Sequence, residues 1–170
     1  MAPTPVDNRI QLPHTGDERT LLSGFVDFMR GTIEFKCAGL AEADARRPVL
    51  PSQLNTAAGI VKHLRWVEHY WFEVVLSGRP SKAPYTQEDP DADWRVEPGE
   101  TISGLLADYA AQCAVSREVA AGLDLDHEVV FRGDERLSVR WVLIHMLEET
   151  GRHAGHLDAV RELLDGVTGE

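Results

Sequence analysis

The stretch Trp141-Val-Leu-Ile-His145-Met-Leu-Glu-Glu149-Thr-Gly-Arg-His153-Ala-Gly-His156 decides how the fold of this chain is read. At about 100° per residue of α-helix, His145, Glu149, His153 and His156 fall within roughly 80° of arc on one face. A stripe of imidazoles and a carboxylate, where a core-facing helix normally carries apolar side chains, makes poor core. It is well suited to be half of a metal site.

Working outward, Ser138 is a credible N-cap and Gly166 a stop, which predicts a helix over about 138–165. At the other end, residues 1–16 combine prolines, polar residues and His14 without periodicity, so they read as an N-terminal arm, and the domain is expected over 17–166. Leu21, Leu22, Phe25, Phe28, Met29, Ile33, Phe35 and Leu40 follow a mainly helical spacing and predict a first helix over about 17–41. The prolines of Arg46-Arg-Pro-Val-Leu-Pro51 break the pattern. Asn55 or Thr56 then caps a second helix to about residue 77, with Ile60, His63, Val67, Tyr70, Trp71 and Val74 on one face and Gly78 at its end.

Residues 78–100 hold four prolines and the acidic run Glu88-Asp-Pro-Asp-Ala-Asp93, which reads as a long solvated loop anchored by Trp94. Thr101 or Ser103 opens a third helix to about Gly122, with Ile102, Leu105, Leu106, Tyr109, Cys113 and Val119 on its buried side. Between it and the last helix lie only the short apolar run Val129-Val-Phe131 and the turn-forming Gly133-Asp134. Four helices with no sustained two-residue alternation predict an all-α four-helix bundle. A helix of this size spans about 30 Å, and the 78–100 loop is long enough to return over that distance. Helices 2 and 3 are therefore expected to run parallel through a crossover, in up-down-down-up order.

The chain has 170 residues, 43% of them apolar, enough for one domain with a sizeable core. Its 17 basic and 28 acidic residues leave a formal charge of -11, which disfavours nucleic acid or an anionic membrane as partner. No run approaches the 18 or so apolar residues of a membrane span, and the N-terminal residues lack an apolar signal core, so a cytoplasmic protein is expected. Cys37 and Cys113 read as small buried hydrophobes in a reducing compartment. An exposed apolar helix face would support a homodimer.

His63 lies among the apolar residues of helix 2, where a lone histidine is usually a hydrogen-bonded core residue. The last helix supplies partners for it: Glu149 and His153, spaced i, i+4, can both reach one ion, and His63 can complete the set from across the core. A His-Glu-His set leaves a coordination position open to water or substrate.

The segment Gly59-Ile-Val-Lys-His63-Leu-Arg-Trp-Val-Glu-His-Tyr-Trp-Phe72, taken with Trp141–His156, resembles the DinB-like superfamily. More narrowly, it is similar to the actinobacterial branch of mini-circle proteins and mycothiol transferases, over about Leu21 to Gly166. The resemblance implies a four-helix metal-binding fold and a divalent ion, zinc first and nickel second. It also implies a low-molecular-weight thiol that the ion activates toward an electrophilic small molecule. By position, the family's metal ligands fall on His63, Glu149 and His153. Many members carry histidine where this chain has Glu149, while mycothiol-dependent maleylpyruvate isomerases resemble it in using glutamate.

Around this set, His145, His156 and Arg152 are candidates for supporting contacts, and Trp66, Tyr70, Trp71 and Trp94 for walls of a pocket. His14, His69 and His127 read as polar surface residues. The expected activity is a metal-dependent thiol S-transfer or isomerisation. The alternative is a non-enzymatic metal-binding protein, stress-related or ligand-binding. A di-iron carboxylate centre would want Glu-x-x-His pairs, which this sequence lacks.

Overall fold

Helix α1 (Glu18–Cys37) begins where the Asp17 carboxylate accepts a hydrogen bond from the Thr20 amide at 2.7 Å, in a computed structural model that describes residue 7 and residues 9–168. Residues 1–6 and 8 of the expected N-terminal arm lie outside the described residues. Val26, Arg30, Ile33 and Cys37 form the buried stripe of α1 at helical spacing. The helix stops short of residue 41 because Gly39 takes a left-handed φ of 75°. A short helix that periodicity did not reveal, α2 (Glu42–Ala45), follows.

Thr56 caps α3 (Ala57–Glu68) by accepting the Gly59 amide at 3.0 Å. Where the sequence predicts one α-helix to residue 77, the chain instead widens into a π-helical segment, His69–Leu76. Hydrophobic spacing does not separate the two forms, since Phe72 and Leu76 are buried in this segment as an α-helical reading would have them. After the long connection, Thr101 caps α4 (Ile102–Ala121), and the Glu42 carboxylate of α2 takes the Ile102 amide at 2.9 Å. Two three-residue strands, β1 (Glu128–Val130) and β2 (Arg136–Ser138), pair antiparallel with Val129 opposite Leu137 around a turn in which Gly133 has φ 61°. Strands this short leave no alternation to read. Ser138 then caps α5 (Val139–Asp165), which ends at left-handed Gly166.

The chain is thus mostly helical, with α1 packed on α5 and α3 on α4, while α3 also meets α5. One apolar cluster gathers Ile33, Ile60, Leu64, Leu105, Tyr109 and Leu157. A second gathers Val26, Phe72, Leu76, Val142 and Met146. None of the described helices is long and apolar enough to cross a membrane.

Candidate metal centre

α3 presents His63, and α5 presents Glu149 and His153 one turn apart. The contact between these helices brings one ligand-type atom of each residue within 4.8 Å of the others. Glu149 Oε1 stands 3.5 Å from His63 Nε2 and 3.3 Å from His153 Nε2. Two donors each about 2.1 Å from a tetrahedral ion are roughly 3.4 Å apart, so this spacing fits one divalent cation. Two imidazoles with one carboxylate are also a donor set that zinc takes when a position is left open.

A cavity of about 410 Å³ opens on this set. His63, Glu149 and His153 line it together with Trp94, Asn55, Arg152 and His156, among others. His153 is buried, while His63 and Glu149 are partly exposed. The three side chains are therefore reachable from one side.

The charges of the site reinforce one another. The His153 and His63 imidazoles beside it, 3.3 and 3.5 Å away, hold the Glu149 carboxyl well below the usual carboxylate range, against burial, which works to raise it. Burial alone would lower the pKa of His63, but its contacts with Asp93 and Glu149 outweigh that and raise it. His156 moves the other way: burial and the neighbouring His153 and Arg152 lower its pKa. Both cysteines are buried, which pushes the Cys37 thiol up to about 12 and raises that of Cys113 as well, away from the thiolate form a nucleophile needs.

Asp93 is the residue that the sequence reading missed. Placed by composition in a solvated acidic loop, it is only 4% exposed, and its Oδ2 lies 2.8 Å from His63 Nδ1. Its neighbour Trp94 stacks on the His63 ring at 4.0 Å and 14°, which places the expected loop anchor at the centre itself. The nearest sequence signal for Asp93 is its position beside that tryptophan.

The other expected site residues divide between the cavity and the rest of the molecule. Arg152 lines the cavity with Nη1 3.5 Å from Glu149 Oε2, and also pairs with Glu148. The His156 ring lies 5.4 Å from that of His153. His145, one turn before Glu149, leaves the centre: it stacks on Trp141 at 5.2 Å, meets Trp71 edge-on at 4.6 Å and does not line the cavity. Nor do Trp66, Tyr70 and Trp71, so of the four aromatic residues expected as pocket walls only Trp94 is one. Trp66 packs against His69, and Trp71 joins Phe131 and Trp141. An aromatic row at helical spacing carries no mark of which neighbour covers it.

His69, read as a surface residue, is 2% exposed. Its Nε2 accepts the Lys82 amide at 3.0 Å, so Nδ1 carries the proton and donates to Glu73 Oε1 at 3.0 Å. The chain leaving the π-helical segment doubles back over this face and buries it.

Comparison with known proteins adds the following. The family model described as mycothiol-S-transferase matches residues 21–166. No curated protein matches the sequence. A solved structure of a conserved protein from Enterococcus faecalis is similar in fold, with a TM-score of 0.71 at 16% identity, covering 90% of this chain and 100% of that one.

Proposed function

Because the chain belongs to the mycothiol-S-transferase family, we propose that it is a divalent-metal-dependent S-transferase or isomerase acting with a low-molecular-weight thiol of the mycothiol type. The observation that carries this reading is the convergence of His63, Glu149 and His153 on one face of an open cavity. A bound divalent cation, zinc before nickel, supplies a positive charge that keeps a thiol ionised near neutral pH. His63 and His153 would hold it through neutral imidazoles, and Glu149 would contribute one negative charge.

The remaining lining does the binding and orienting. Arg152, at the cavity rim, offers a guanidinium to an anionic group of either substrate. Trp94 closes one wall, and its indole covers the His63 ring. The reaction class is attack of the thiol sulfur on an electrophilic carbon, forming a carbon–sulfur bond as the leaving group departs. With an activated double bond the thiolate instead adds to one carbon, the resulting single bond rotates, and the carbon–sulfur bond breaks again to expel the thiolate, so that the thiol is regenerated and the product is an isomer.

The architecture is read here as an up-down-down-up four-helix bundle with residues 77–101 as its crossover. The pairing of α1 with α5 and of α3 with α4 supports that order. Two buried free cysteines agree with a reducing, cytoplasmic location.

Elemental analysis of the purified protein beside His63→Ala and His153→Ala tests the site. The wild type should carry one metal per chain and both variants should lose it. Stoichiometric metal in both variants would place the site elsewhere. Metal-loaded protein should then consume mycothiol or a related thiol with an electrophile; metal without any such turnover would leave the binding-protein alternative.

A further inference from the structure

The 77–101 connection meets α3 at Asp93–Arg95, and Gly59, Lys62 and His63 of α3 hold these three residues. Gly59 allows the approach: a Cβ there would lie 3.0 Å from the Trp94 carbonyl oxygen and 2.4 Å from that of Leu54. Lys62, buried, donates to the Arg95 carbonyl at 2.6 Å and to Glu100 Oε2 at 2.8 Å. His63 meets Asp93 through Nδ1 and Trp94 through its ring face. Residues 59, 62 and 63 share one side of the helix, and that side grips the strap.

Within this strap Asp91 is exposed while Asp93 is sunk against the imidazole. Burying a carboxylate costs several kcal/mol unless it is paired, and the partner given to Asp93 is a ring nitrogen of His63. Asp93 Oδ2 at 2.8 Å is closer to His63 than Glu149 Oε1 is at 3.5 Å, so the single proton of a neutral imidazole belongs on Nδ1. The Nε2 lone pair is then left facing Glu149 and His153.

From this we infer that Asp93 is a positioning residue of the metal centre: delivered by the crossover strap, it fixes the His63 tautomer and ring so that Nε2 is presented as a ligand. The inference rests on the metal-binding reading given above. His153 has no counterpart, since its Nδ1 has no hydrogen-bond partner among the described residues. The burden of orientation therefore falls on the His63 side. Carboxylate partners of metal-binding histidines typically change affinity 10–100-fold when removed.

The test uses the full chain stripped of metal, with zinc titrated calorimetrically into wild type, Asp93→Ala and Asp93→Asn. It is paired with nitrogen-15 NMR of the His63 ring above pH 8. Wild type should show the Nδ1–H tautomer, and Asp93→Ala should shift it toward Nε2–H with a zinc Kd raised about 10–100-fold. Asp93→Asn keeps an acceptor oxygen without the charge, so it should retain the tautomer and fall between the two in affinity. Equal zinc affinity in wild type and both variants, or an Nε2–H tautomer in wild type, overturns the role of Asp93 and leaves the metal centre intact. Wild type that binds no zinc at all overturns the metal-binding reading itself. If Asp93→Ala does not fold, the wild-type tautomer and the Asp93→Asn affinity still decide the matter.

Discussion

Glu149 lies between two imidazoles, 3.5 Å from His63 Nε2 and 3.3 Å from His153 Nε2. A histidine ligand must release its proton before it binds a cation, so the raised pKa of His63 places metal and protons in competition at a higher pH than for a free imidazole. The sign follows directly: above the folded pKa the site is ready, and below it affinity falls by about tenfold per pH unit. Calorimetric zinc titrations across pH 5–8 should show this acid limb above the ordinary imidazole value of about 6.5. A limb at or below that value would mean that Asp93 and Glu149 do not act on His63 in solution. At the same scale, the one-turn spacing of Glu149 and His153 is plain in the sequence because side chains four apart on a helix always meet. The partnership of Asp93 with His63 is not, since nothing in an acidic loop says which carboxylate will turn inward.

α3 and the π-helical segment form one continuous rod whose buried side is tied to α1 by Arg30 and Glu68. The guanidinium grips the carboxylate with two hydrogen bonds of 2.8 and 2.7 Å; Arg30 is 4% exposed and Glu68 fully buried. The Arg30 guanidinium also lies over the ring of Phe72, 5.5 Å from its centroid, which joins the pair to the second apolar cluster. Removing Glu68 leaves the buried guanidinium with the part-exposed Asp27 carboxylate, 2.8 Å from Nη1, in place of a bidentate buried partner, so Glu68→Ala should cost about 3–5 kcal/mol in urea denaturation. Arg30→Met combined with Glu68→Leu should recover much of that loss, because the desolvation of both charges disappears with them. A loss under about 1 kcal/mol for the single variant would show that water already reaches the pair. The start of α5 at Ser138 and its end at Gly166 were readable, and the starts of α3 and α4 fell on one of the two caps expected for each, Thr56 over Asn55 and Thr101 over Ser103, since capping is a local matter of one side chain and one amide. The π-helical turn was not, because α and π forms bury the same apolar positions over so short a span.

For the molecule as a whole, a cation held as proposed between α3 and α5 would link two helices far apart in sequence and would be bound only in the folded state. Such binding would stabilise the fold by about 2.7 kcal/mol at a free metal concentration of 100 Kd. For a chain of this length that corresponds to a rise in Tm of roughly 5–10 °C. Thermal melts with and without zinc should show it in wild type and lose it in His63→Ala, and an equal rise in both would mean that the cation acts elsewhere. Read alone, the amino-acid order was enough for the helical class, for the Ser138 cap and Gly166 stop of α5, and for narrowing the caps of α3 and α4 to Asn55 or Thr56 and Thr101 or Ser103. It was also enough for the face on which His63, Glu149 and His153 would lie, because each follows from a period of 3.6 residues and the neighbours within a turn. Tertiary packing alone decided that the 77–101 connection would bring Asp93 and Trp94 onto His63, bury His69 under its own return path, and turn His145 toward Trp71 and Trp141. A loop has no period, and its course is set by whichever distant surfaces it can bury.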